Sequence, residues 1–123
     1  MNRRQRMYHT NMLAKKWLLE HDFDHIWFKP HADTRKKKET YTAKSGTHYQ
    51  TDLYNLFDGL CFDNTGRVVF LQMSTGRFHP VQKYDEFFLD KDSTYCVMLC
   101  AIKKKSWEIR PKYVWPPMRL ENV

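Results

Sequence analysis

The sequence predicts an α/β domain with the element order α-β-β-β-α-β-β. Three observations carry this reading. An opening stretch without Gly or Pro has helical apolar spacing, two β-prone runs are joined by the turn "DNTG", and a second helical stretch leads into a strongly apolar run. Elements in this order favour a mixed sheet covered by helices.

From about Arg3 to His21, Tyr8, Met12 and Leu19 fall on one helical stripe, widened by Leu13 and Trp17. "HIWFK", residues 25 to 29, is a short strand stopped by Pro30. Residues 31 to 51 are almost wholly polar, with one dense basic cluster from Arg35 to Lys38. A polar connection of this length in a small domain tends to be functional. Two strands are expected next, at about Leu53 to Phe62 and Arg67 to Thr75. "HPVQKYDEFFLDK" reads as the second helix, with Pro80 suited to its first turn and Val81, Tyr84 and Phe88 on one face. "TYCVMLCAI" and "WEIRP" then form a hairpin around the basic turn Lys103 to Lys105, and the tail from Val114 is expected to be irregular.

At 123 residues, a single domain spanning 1–123 is expected. Hydrophobic residues at 41% and aromatics at 15% set the chain apart from disordered sequences. No apolar stretch approaches the ~20 residues of a membrane span, and the basic start "MNRRQRMYHT" lacks the apolar core of a secretory signal. With 21 Lys and Arg against 14 Asp and Glu, the net charge of +7 favours a polyanionic partner, nucleic acid ahead of an anionic membrane. Cys61, Cys96 and Cys100 all sit in apolar runs. On one strand Cys96 and Cys100 would be ~13 Å apart, beyond the ~7 Å limit for a disulfide. Reduced thiols in an intracellular, cytoplasmic protein (host cytoplasm for a viral one) are expected. No C-x-x-C pair suggests zinc, and "HDFDH" at 21 to 25 reads as residues at a helix end.

Two polar residues interrupt otherwise apolar strands, Asp58 and Gln72. Side chains alternate along a strand, so the turn decides whether the two meet. "NTG" suits a three-residue loop, with a type I turn at Asn64 and Thr65 and Gly66 in the left-handed region. That register pairs Asp63 with Arg67, and opposed residues have numbers summing to 130. Asp58 then faces Gln72, and Leu56 faces Ser74, all on one side. A four-residue loop would place Asp58 and Gln72 on opposite faces. A carboxylate beside an amide carbonyl, with the Met73 carbonyl nearby, makes an oxygen-rich pocket of the kind Mg²⁺ takes. The alternative is structural: Asp58 bonds a turn and Gln72 satisfies a buried backbone group.

"DLYNLFD", followed by a strand, a turn and "FLQMST", resembles the PD-(D/E)XK nuclease superfamily, closest to its archaeal-type Holliday junction resolvase branch. The resemblance implies a restriction-endonuclease-like α-β-β-β-α-β core with a mixed central sheet flanked by helices. It implies a metal-dependent DNA endonuclease, with Mg²⁺ or Mn²⁺ held by Asp58, Gln72 and the carbonyl of Met73. Gln72 occupies the position of the family's Glu and Ser74 that of its Lys, as in relatives carrying Q-x-S/T. Lys83 is a candidate migrated lysine, with His79 and Gln82 as other candidates. His9 or Asn11 stand where many relatives have a Glu on the first helix. Ser45 and Gly46 resemble a Ser/Gly loop that lies near DNA. A catalytically degenerate member that binds nucleic acid or a protein without cleavage is the other outcome.

DNA, branched DNA included, would be tracked by Arg35, Lys36, Lys37, Lys38 and Lys44, by Arg3, Arg4 and Arg6, and by Lys103 to Lys105. Such contacts position the duplex and make binding steeply salt-dependent. A resolvase-like reading also implies a homodimer, for which Trp107, Val114 and Trp115 offer apolar surface.

Overall fold

The computed structural model describes residues 2–30 and 39–114. It is a mixed α/β fold with elements α1 (Arg3–Glu20), β1 (Asp24–Phe28), β2 (Glu39–Ala43), β3 (Gly46–Gln50), β4 (Gly59–Phe62), β5 (Val68–Thr75), α2 (Gln82–Phe88), β6 (Tyr95–Lys103) and β7 (Trp107–Val114). Five strands form one sheet in the order β1-β4-β5-β6-β7, while β2 and β3 pair only with each other. The β5–β6 pair is parallel, with α2 in the connection, and the other sheet neighbours are antiparallel. No helix among the described residues is long and apolar enough to cross a membrane.

α1 begins on a capping box, in which the Asn2 side chain accepts from the Gln5 N–H and Gln5 accepts from the Asn2 N–H. The predicted apolar stripe is not the buried one. Tyr8, Met12 and Leu19 are exposed, and Thr10, Ala14 and Leu18 face the sheet. Small side chains let the helix approach closely: Ala14 and Leu18 join Val69, Leu71, Val97 and Leu99 in one core layer. On the opposite side of the sheet, Tyr84 and Phe88 of α2 pack with Phe57, Cys96 and Met98. Alternation along β6 supplies both layers, which is why Tyr95–Ala101 is buried throughout. β7 is an edge strand and carries Pro111 opposite Leu99. All three cysteines are buried and free, and burial pushes the Cys61 thiol up to about 12.

The β4–β5 turn has the expected register, since Gly59–Leu71, Leu60–Phe70, Cys61–Val69 and Phe62–Val68 are opposed. Gly66 has φ +84°. Asp63 organises the loop by accepting from the Thr65 and Arg67 N–H groups and the Thr65 hydroxyl, while Tyr95 donates to its other oxygen. Burial alone would raise the Asp63 pKa, but these donors hold it below the ordinary carboxylate value. A depressed carboxylate stabilises the fold above its unfolded pKa, and that contribution fades as pH falls through the folded one. Asp63→Ala is expected to cost about 2 kcal/mol near neutrality and less in acid, as read from urea melts at both pH values.

Two segments differ from expectation. The polar stretch after Glu39 contains the β2–β3 hairpin, which buries little on either face and so shows no alternation. The expected strand from Leu53 shrinks to Gly59–Phe62, because Tyr54 and Asn55 adopt φ of +52° and +59°. Leu53–Phe57 is instead a turn closed by the Phe57 N–H on the Leu53 carbonyl, so Leu56 does not pair with Ser74. Of the residues proposed for a dimer surface, Val114 is buried in the core and Trp107 meets His9 edge to face, while Trp115 lies outside the described residues.

Candidate active site

β5 runs four residues beyond the start of β4, from Gln72 to Thr75, and remains paired with β6 alone. The peptide groups that turn toward the missing β4 partner therefore need other ligands. Asp58, just ahead of β4, supplies one: its N–H donates to the Leu71 carbonyl at 2.8 Å, and its Oδ2 accepts the Met73 N–H at 2.9 Å. Gln72 Nε2 donates to the Met73 carbonyl at 2.8 Å from the other strand face; contrary to the expected arrangement, Asp58 and Gln72 do not share one side, because Asp58 precedes β4 and lies outside its alternating ladder. Asp58 and Gln72 thus converge on one residue, Met73. The structural alternative considered for these side chains is partly what is observed, for each satisfies a backbone group.

Satisfaction is incomplete, however. Gln72 is 5% exposed and its Oε1 has no hydrogen-bond partner among the described residues; the buried Ser74 Oγ has none either. An acceptor left without a donor in such a place is uncommon and calls for an explanation such as an ion or water.

Asp58, Met73, Ser74 and Thr75 line a cleft of about 410 Å³ between the end of β5 and the first turns of α1. Arg3, Arg6, Met7, Thr10 and Asn11 come from the helix, and Lys29 comes from the end of β1. Thr10 and Thr75 hydroxyls meet at 3.1 Å and pin the helix to the strand. Lys29 is placed by its own backbone, whose N–H donates to the Asp58 carbonyl at 2.8 Å. Its Nζ pairs with Asp52 at 2.8 Å. Burial raises the Asp58 pKa above its ordinary value; the Met73 N–H opposes this, Asp52 adds to it, and Lys29 and His79 oppose it.

The sequence-derived candidates divide into several groups. Asp58, Met73 and Ser74 line the cleft together, and Gln72 lies buried behind them. Lys83 lines a different groove, with Tyr41 and Phe87, so it does not accompany Asp58. Asn11 lines the cleft, whereas His9 packs on Trp107 and Gln82 bonds Glu86. His79 acts on Asp58 electrostatically. Lys44 and Ser45 form the β2–β3 turn and Gly46 opens β3 at φ +122°; none of the three lines the cleft. Arg35, Lys36, Lys37 and Lys38 lie outside the described residues.

Lys29 and Thr10 were missed. Nothing marks Lys29 in the sequence except its place after a short β-prone run, and only the β1–β4 pairing carries it to Asp58. Among the described residues, no three His, Cys, Asp or Glu side chains gather as a metal-binding group. Comparison of the chain with protein-family models, curated proteins and solved structures finds no match.

Proposed function

We propose that the chain is a metal-dependent DNA endonuclease of the PD-(D/E)XK type, with the five-stranded sheet as its restriction-endonuclease-like core. One observation carries the reading. The half-buried Asp58 carboxylate accepts the Met73 N–H and the buried Gln72 amide donates to the Met73 carbonyl, beside a cleft lined by three cationic side chains.

The donor set fits a hard cation. Asp58 offers an anionic oxygen and Met73 a carbonyl to a Mg²⁺ or Mn²⁺ that keeps several waters, whereas the Gln72 Oε1 is buried outside the cleft lining. When bound, such an ion supplies Lewis-acid polarisation of the phosphoryl oxygen and a more acidic water. The chain's own residues do the rest. Arg3, Arg6 and Lys29 neutralise and orient the phosphodiester; Arg is suited to bidentate phosphate contacts. Ser74 lines the cleft wall, but its unpartnered Oγ is buried and does not reach an attacking water in the cleft. Lys29 supplies the positive charge that Ser74 lacks at the position of the family's lysine. Branched DNA as substrate and a homodimer that brings two clefts to two strands extend the same reading.

A second reading, binding without cleavage, is favoured by one feature: Asp58 is the single carboxylate among the described cleft residues. Incubating branched and linear DNA with Mg²⁺ or Mn²⁺, wild type beside Asp58→Ala, separates the two. Cutting by the wild type alone supports the endonuclease. Salt-sensitive binding by both with cutting by neither selects the second reading. Cutting that survives in Asp58→Ala overturns the assignment of this cleft. Lys29→Ala is expected to lower the cleavage rate by roughly 10²-fold. It should also flatten the salt dependence of DNA affinity by about one phosphate contact, which a merely structural lysine would not do.

A further inference from the structure

A second groove, of about 640 Å³, opens on the α2 side of the sheet, between the β2–β3 hairpin and α2. Its walls carry four aromatic rings: Tyr41 from the hairpin, Tyr54 from the turn before β4, Phe70 from β5 and Phe87 from α2. Tyr54 is their hub, 5.2 Å from Tyr41, 5.8 Å from Phe87 and 6.5 Å from Phe70 between ring centroids. Yet it remains 38% exposed, so ring surface faces the opening.

Placing Tyr54 there has a cost. Tyr54 and Asn55 both sit in the left-handed region, uncommon for a bulky side chain. The hydrogen bonds that hold that turn include the Tyr54 N–H to Gln50, Asn55 Nδ2 to the Tyr49 carbonyl, the Thr51 N–H to Asn55, the Asn55 N–H to Asp52 and the Leu56 N–H to Leu53. Strain maintained by surrounding structure clusters at ligand sites.

Charge narrows the occupant. Lys83 and Lys91 line the groove against one carboxylate, Glu86, which is engaged by Gln82. Lys91 lies over the Phe87 ring at 4.5 Å and bonds Asp90, whereas the Lys83 ammonium has no partner among the described residues. A neutral acyl chain or an apolar peptide segment makes no use of a free cation beside stacked rings. A nucleotide uses both, its base on the rings and its phosphate on the lysine.

We propose that this groove binds an unpaired nucleobase, so that DNA with a single-stranded branch or tail is held at two places. This rests on the nuclease reading of the Asp58 cleft. The turn at residues 51–58 connects the two sites, giving Tyr54 to the groove and Asp58 to the cleft. A strand peeled from a duplex would seat its first free base on Tyr41 and Tyr54 while the duplex lies along the cationic cleft.

The test compares a blunt duplex with the same duplex carrying a short single-stranded tail that contains 2-aminopurine. Binding is followed by anisotropy and base stacking by 2-aminopurine quenching. The tailed DNA is expected to bind on the order of tenfold more tightly, with quenching on binding. Tyr41→Ala is expected to abolish both effects and leave blunt-duplex affinity unchanged, while Tyr41→Trp retains them. Matching urea melts for the two variants would show that the hairpin is intact. Equal affinity for blunt and tailed DNA, or a preference that survives Tyr41→Ala, overturns the groove and leaves the nuclease reading standing. A tail preference in a protein that cuts neither DNA supports the groove and overturns the nuclease reading.

Discussion

Asp58→Asn is expected to abolish DNA cleavage, by roughly 10²–10³-fold or more, while leaving the fold as stable as the wild type or more so near neutrality. The asparagine Oδ1 can still accept the Met73 N–H that Asp58 Oδ2 accepts now. What disappears is a charge that burial disfavours. Because burial raises the Asp58 pKa above 3.8, the folded protein keeps this proton over a pH interval in which the unfolded chain has lost it. The contribution to stability is therefore greatest below that interval and declines as pH rises through the folded pKa. Urea melts from acid to neutral pH should show this decline in the wild type and not in Asp58→Asn. A divalent cation that prefers the folded state should raise the melting temperature of the wild type alone. Equal stabilisation of both proteins by Mg²⁺ and Mn²⁺ would remove Asp58 as a ligand, whatever the cleavage assay shows. Stabilisation of the wild type alone would make the site an example of the common conflict between a functional charge and the stability of the fold around it.

The second large effect is steric. Gly59 sits where β1 closes on β4, and a Cβ built there would lie 2.3 Å from the Trp27 carbonyl oxygen and 3.0 Å from Phe28 Cδ1. A carbonyl oxygen held in a strand cannot swing aside as a flexible side chain would. Gly59→Ala is expected to destabilise the protein by about 3 kcal/mol or more, read as a fall in the urea midpoint. Gly66→Ala is the informative contrast. It meets open space at φ +84°, so only the left-handed backbone penalty of about 1 kcal/mol applies. In whatever fraction of Gly59→Ala folds, β1 must separate from β4, carrying Lys29 away from Asp58, since the Lys29 N–H bonds the Asp58 carbonyl. Cleavage should therefore fall further than the folded fraction alone predicts.

Apart from the β2–β3 hairpin, which the predicted order lacks, element order was readable because period and punctuation agree along most of the chain. The "DNTG" turn was specific enough to set the β4–β5 register, which the opposed pairs Gly59–Leu71 and Phe62–Val68 reproduce. What failed was reading from hydrophobicity alone. α1 has apolar residues all round, and Thr10 and Ala14 take the inward face because they are small, while Tyr8 and Met12 remain outside. The apolar run ahead of Asp58 looked like strand, yet Asn55 beside Tyr54 tolerates the left-handed backbone that bends it into a turn. The hairpin brings Asp58 to Met73, whereas Gln72, expected on the same face as Asp58, is buried on the other. The candidate site was illegible where it depends on long-range pairing: Lys29 reaches Asp58 only through β1–β4, and Lys83, near in sequence to the end of β5, lines another groove.

The outer strand β7 has consequences for how copies of this chain can meet. Along it Glu108, Arg110 and Lys112 follow one another at alternate positions, and Pro111 interrupts the row with a residue that has no amide hydrogen. An incoming strand would find a missing donor at mid-length and a fence of charge on the approach, the features by which natural proteins keep open sheet margins from zipping together. Association of two copies is thereby steered away from sheet extension on this side, toward the helical faces or the β1 margin.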